Sequence, residues 1–207
     1  MKVTGHRLKG VIEMSHPLEF LPLRVRKQLF FTFLFLTLVL FAVFRVLDQP
    51  LRTDAAPNGI VSFELAGDVR TARLISDSWK QMSLLLSATG APNPDIVNVP
   101  YAFAAFGLGL DYLFMPVYAL ALASATLLAA EKHTGSLRSM AVAAGYGAFA
   151  APLFDAVENY ALFQMLLGAF DTGYPAIAAF CAIVKFGLLA FGILVSLAAW
   201  LLPRRQA

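Results

Sequence analysis

Ala151-Pro-Leu-Phe-Asp-Ala-Val-Glu-Asn-Tyr-Ala-Leu162 sets polar side chains inside a segment otherwise apolar enough to cross a membrane. Asp155, Glu158 and Asn159 lie three and four residues apart, so on a helix they project from one face, with Leu162 a turn further on. A carboxylate at membrane depth costs at least about 3 kcal/mol on insertion scales, so such residues face a bundle interior, a water-filled cavity or a partner charge. The stretch therefore calls for a membrane fold with something opposite these acids. The rest of the chain offers Asp111, Lys185 and Arg45.

The composition agrees with that reading. Of 207 residues 59% are hydrophobic and 14% charged, with a mean hydropathy of +0.70, against about 25% charged in soluble domains. Four apolar segments, 28–47, 101–130, 137–170 and 175–202, reach the roughly 20 residues that a spanning helix needs. The longer three have length to spare for tilting, kinking or projecting beyond the bilayer. These features predict an all-α integral membrane protein built as a four-transmembrane-helix bundle in the lipid bilayer. The formal charge of +3 comes from basic residues flanking the spans, where it signals topology and not a nucleic-acid partner.

Cys181 is the only cysteine, which rules out an internal disulfide or a CxxC pair and with it the dithiol quinone reductases of similar size. The three histidines, His6, His16 and His133, fall outside the spans, so neither a bis-histidine haem nor a zinc site is expected. No metal or cofactor is expected.

Residues 1–27 read as a basic cytoplasmic tail, with Lys2, Arg7, Lys9, Arg24, Arg26 and Lys27 against Glu13 and Glu19. The first span follows without a small-x-small cleavage site, so it reads as a retained signal anchor. Residues 48–100 form the one sizeable hydrophilic loop. Within it Asp68 can cap a helix over about 68–87, with Val69, Ala72, Ile75, Trp79, Met82 and Leu86 on one face and Arg70, Arg73, Asp77 and Lys80 on the other. That amphipathic helix should either cap the bundle as a lid anchored by Trp79 or rest on lipid beside it. Gly59-Ile-Val-Ser-Phe-Glu-Leu65 reads as a short extended strand, and Pro92, Pro94 and Pro100 make an irregular return to the bundle. The alanines and glycines of 141–151 permit close helix contact, within the chain or across a homodimer. A short tail, 203–207, ends the chain. Lysines and arginines counted loop by loop place both termini inside and the large loop outside.

This orientation brings the buried charges to similar depths. At about 1.5 Å of rise per residue, Asp111 lies about 9 Å, Lys185 about 15 Å and Glu158 about 18 Å below the outer boundary, with Asp155 somewhat deeper. They come from different spans yet gather in the outer half of the bilayer or near its centre. The predicted site therefore holds Asp111, Asp155 and Glu158 against Lys185, with Asn159, Tyr112 and Tyr118 as hydrogen-bonding groups and Arg45 as a snorkelling residue or a rim partner. One lysine with one acid would be a register lock between helices. Three acids, an asparagine and two tyrosines exceed what such a lock requires.

Phe63-Glu-Leu-Ala-Gly67, Trp79, Asp111-Tyr-Leu-Phe114 with Tyr118, and Asp155-Ala-Val-Glu-Asn159 together resemble uncharacterised small bacterial membrane proteins with four spans. The resemblance covers most of the chain after residue 60 and implies one architecture for the acidic helix faces and the outer loop. It brings no activity with it.

Three functions compete on the residues alone. The first is binding or transport of a cation, an amine-bearing small molecule or a lipid headgroup in a pocket open to the outer side. The second is an intramembrane enzyme acting on lipid, with Asp155 or Glu158 as general acid or base and Lys185 as tuner. The third is an accessory or assembly subunit whose outer helix contacts another protein. No histidine at depth, phosphate-cradling glycine loop or serine nucleophile constellation supports the enzyme, and four spans without an inverted repeat suit transport only as a dimer.

Overall fold

The computed structural model describes residues 14–88, 99–170 and 173–203, with the side chains of 81–88 outside that description. The expectations for Lys2, His6, Arg7 and Lys9, for the side chains of Met82 and Leu86, and for the return through Pro92 and Pro94 lie outside it as well. Every regular element among the described residues is helical: α1 (Leu23–Leu47), a 3-10 turn (Gln49–Leu51), α2 (Ile60–Glu64), α3 (Val69–Ala88), α4 (Val99–Lys132), α5 (Gly135–Leu166) and α6 (Tyr174–Leu201). Four of them, α1, α4, α5 and α6, are long and apolar enough to cross a membrane.

Helix α4 is the axis of the assembly and packs on α1, α5 and α6, while α5 and α6 make the most extensive pairing. Its buried face is rich in Ala119, Ala121, Ala123, Ala125 and Ala129, whose small side chains let neighbouring backbones approach closely. On α5 the small residues Ala141, Ala144, Gly145, Ala148 and Ala151 are likewise buried, so this stripe is used within the chain. Helix α1 leans on α4 and buries only Phe30 among its own residues. Its exposed Phe31, Phe35, Leu38 and Phe41 make an outward apolar surface, suited to lipid because a lipid-facing helix has no polar face to present.

At one end of the assembly, the turn end, residues 14–22 fold under the α4–α5 turn. The His16 ring occupies the space beside Gly145, where a Cβ would come within 2.1 Å of Nε2. Its Nδ1 accepts the Leu18 N–H at 3.1 Å, which leaves the proton on Nε2 to donate to Thr126 Oγ1 at 3.0 Å. Burial, with Arg138 and Arg26 nearby and opposed by Glu19, lowers the His16 pKa to about 4, so the ring is neutral at pH 7. Arg138 donates to Glu19 at 2.9 Å and Arg26 pairs with Glu131. Lys132 Nζ donates to the Ala199 and Trp200 carbonyls, each at 2.9 Å, and His133 Nε2 lies 2.7 Å from the Ala199 carbonyl. These groups meet carbonyls at the C-terminal end of α6, which have no amide donor of their own.

At the opposite end, the loop end, residues 48–88 fold over the helices. Residues 59–65, expected as a strand, are instead the helix α2. Asp48 supplies the physical reason: its Oδ1 accepts the Ile60 N–H at 2.8 Å from twelve residues upstream, capping α2 at long range. Gly59 makes room for that carboxylate. It has φ +58, and a Cβ there would fall 1.9 Å from Asp48 Oδ1. Asp68 caps α3 by accepting the Thr71 N–H at 2.9 Å, and those hydrogen bonds hold its carboxyl below the usual range. The described part of the α3 stripe is consumed inside the fold. Ala72, Ile75 and Trp79 are buried with Leu51, Phe63, Leu162 and Met165, and Trp79 Nε1 donates to the Leu51 carbonyl at 2.8 Å.

Helix α5 stops at Leu166, short of residue 170. The Gly168 N–H bonds the Met165 carbonyl and the Ala169 N–H bonds the Gln164 carbonyl, both at 2.9 Å, with Gly168 at φ +95, a Schellman stop.

Candidate functional site

The helices bring a dense group of charges together just beneath α2. Lys185 on α6 reaches into α5, where its ammonium donates to Asp155 Oδ1 and Glu158 Oε1, each at 2.9 Å. The i, i+3 spacing of the two acids on α5 lets one lysine sit between them. Tyr118 on α4 donates to the other Asp155 oxygen at 2.7 Å, so both oxygens of Asp155 accept hydrogen bonds. Asn159 donates to Asp111 Oδ2 at 2.8 Å and also lies 3.4 Å from the Leu108 carbonyl.

Glu64, at the end of α2, is a fourth acid that sequence reasoning assigned to the hydrophilic loop. Its Oε2 lies 4.0 Å from the Lys185 ammonium, and the residue is only 8% exposed. Burial pushes its carboxyl above the usual carboxylate range, with the Lys185 charge opposing and those of Asp155 and Asp48 reinforcing the shift. Its signal in the sequence was a lone acid inside the apolar run Ile60-Val-Ser-Phe-Glu-Leu65. In a strand Phe63 and Glu64 would point to opposite sides, whereas one short helix buries both.

Tyr112 falls outside the group. One residue on from Asp111, it turns by about 100° on a 3.6-residue helix, is half-exposed and donates to the Ala156 carbonyl at 3.3 Å. The prolines Pro116 and Pro152 lie inside α4 and α5 next to the site, and both helices continue through them.

Above and beside these charges is a cavity of about 430 Å³. Asp111, Tyr118, Asp155, Asn159 and Lys185 form its polar wall, and Glu64 reaches it from α2. Arg45, Asp48, Arg52 and Asn58 stand toward the loop end, where Arg52 Nε pairs with Asp48 at 3.0 Å. Phe41 and Phe44 of α1, Phe114 of α4, and Phe186 and Leu189 of α6 make the apolar wall. No described side chain of α3 lines it, so the cover over this space is α2 and the 3-10 turn. Helix α3 acts from behind them, through Trp79 against Phe63 with ring centroids 5.0 Å apart.

The charges do not balance. Among the described residues Lys185 is the one cation within salt-bridge distance of Glu64, Asp155 and Glu158, and no cation lies that close to Asp111. Oε2 of Glu64 and Oε2 of Glu158 are buried without a hydrogen-bond partner. Buried polar atoms are ordinarily satisfied, and the Glu64 and Glu158 carboxyls face each other closely enough to hydrogen-bond, so the donor their free oxygens call for is a proton held between them or a cationic group arriving from the cavity. Comparison with protein-family models, curated proteins and solved structures gives no match, so the likeness to four-span bacterial proteins rests on its quoted motifs alone.

Proposed function

We propose that the chain is a four-span bundle of a bacterial inner membrane, with both termini inside and residues 48–100 outside, whose pocket binds an amine-bearing ligand from the outer side. The observation that supports this reading is the pair of facing buried carboxyls, Glu64 and Glu158, whose Oε2 atoms receive no N–H donor, beside a cavity lined by Glu64. An ammonium group supplies three donors and one positive charge, the two things this wall lacks. A bare metal ion fits less well, because among the described residues no group of acids and histidines is arranged to hold one. Against the accessory-subunit reading, Ala72, Ile75 and Trp79 of its proposed contact are buried within the chain.

Carbodiimide labelling tests the proposal. Dicyclohexylcarbodiimide reacts with protonated carboxyls in apolar surroundings, and the raised Glu64 carboxyl is a suitable target. Hexylammonium should protect Glu64 from the reagent, while hexanol, with the same apolar chain and no charge, should not. Equal protection by both would reduce the site to an apolar crevice, and protection by neither would reject amine binding.

A further inference from the structure

We infer that the occupant of this pocket is an aminophospholipid entering sideways from the outer leaflet between α1 and α6, with its ammonium at Glu64 and its phosphate at Arg45. This rests on the amine-binding reading above and adds to it the ligand class, the route of entry and a second recognition residue.

The route follows from how α1 is held. Helices α1 and α6 meet at Phe30 and Trp200, whose ring centroids are 5.3 Å apart, near the turn end. Toward the loop end the cavity lies between them, with Phe41 of α1 and Phe186 of α6 as its walls. Those two side chains are 56% and 39% exposed, so the cavity wall on this flank is also lipid-facing surface, and parting of the two rings would open it sideways at the level of Lys185. An opening at that depth gives onto hydrocarbon. Phenylalanines on both sides suit an acyl chain, and a wholly water-soluble amine would have no use for them.

Charge complementarity assigns the headgroup. The unsatisfied acceptor, Glu64 Oε2, is more than nine-tenths buried and belongs to the cavity wall. Arg45 lines the same cavity. Its guanidinium makes no hydrogen bond or ion pair among the described residues, unlike Arg52, which is occupied by Asp48. A headgroup carrying both a phosphate and a primary ammonium answers both vacancies at once: the planar fork of Arg45 suits phosphate oxygens, and the ammonium supplies donors to Glu64. Phosphatidylglycerol offers the phosphate without the ammonium. A simple alkylamine offers the reverse.

The test uses the full chain, solubilised from a membrane of mixed phosphatidylethanolamine and phosphatidylglycerol, with retained lipid identified by native mass spectrometry. Phosphatidylethanolamine should be retained over phosphatidylglycerol by about tenfold or more, the value of one charge-assisted hydrogen bond. Glu64→Gln should abolish that preference. Arg45→Gln, at an exposed position where folding is not at stake, should lower phosphatidylethanolamine retention yet leave hexylammonium protection of Glu64 intact. Equal retention of the two lipids with hexylammonium protection preserved would overturn the lipid assignment and spare the amine site. Loss of hexylammonium protection in the parent protein would remove both. An Arg45→Gln protein that retains phosphatidylethanolamine as the parent does would reject the phosphate contact.

Discussion

The two ends of the molecule treat charge in opposite ways. At the turn end the partly buried cations have a use, Arg26 on Glu131, Arg138 on Glu19 and Lys132 on the last carbonyls of α6, while Arg24 and Lys27 are exposed. His16 is neutral and fully bonded through both ring nitrogens. At the loop end three acids share one lysine, a fourth, Asp111, is held by Asn159, two carboxyl oxygens have no N–H donor and Arg45 has no partner among the described residues. A closed network of that kind fixes structure. An incomplete one, next to a cavity, is arranged for something that completes it, and the contrast is the basis for locating function at the loop end.

The largest expected effect separates the two kinds of network. Lys185→Met strands buried carboxylates and should cost about 3 to 5 kcal/mol, read from thermal unfolding in detergent micelles. Combining it with Glu158→Gln, or with Asp155→Asn, should return part of that loss. Arg138→Met, which breaks a partly exposed pair with Glu19, should cost about 1 kcal/mol or less. Strictly additive losses in both Lys185 double mutants would mean that the lysine is not held by these acids.

A smaller effect belongs to the turn end. The folded His16 pKa, about 4, lies below the ordinary histidine value, so the folded protein binds fewer protons than the unfolded chain as pH falls. The stability from His16 is then full above about pH 6.5 and is lost as pH falls toward 4, by about 3 kcal/mol in all. His16→Gln, which does not titrate, should remove that portion of the pH dependence in unfolding measurements. An unchanged slope between pH 6.5 and 4 would show that the ring is not held neutral.

The loop end was also where sequence reasoning reached less far, for a physical reason. The four long helices announce themselves by apolar length, and α3 by a capping Asp68 followed by apolar residues at three and four. Asp155, Glu158 and Asn159 share a face by spacing alone, and in the structure the three are buried together. All of these are local patterns. Helix α2 is not local: Ile60 and Val61 suit a strand, and it is the Asp48 carboxylate, reaching back across the loop to a glycine at positive φ, that selects a helix there. Without that cap nothing turns Glu64 toward Lys185, so a loop residue could not be counted among the membrane acids. The same tertiary fact moves the cover of the pocket from α3, whose amphipathic stripe was conspicuous, to the five residues of α2 in front of it.

The central claim is that Glu64 and Glu158 leave a place for a positively charged group. A density map of the protein in nanodiscs containing phosphatidylethanolamine tests it most directly. The account predicts density within hydrogen-bonding distance of Glu64 Oε2, continuing between Phe41 and Phe186 toward the lipid. A map in which Glu64 turns away from Lys185 into solvent, with the cavity closed by α1 against α6, would contradict it.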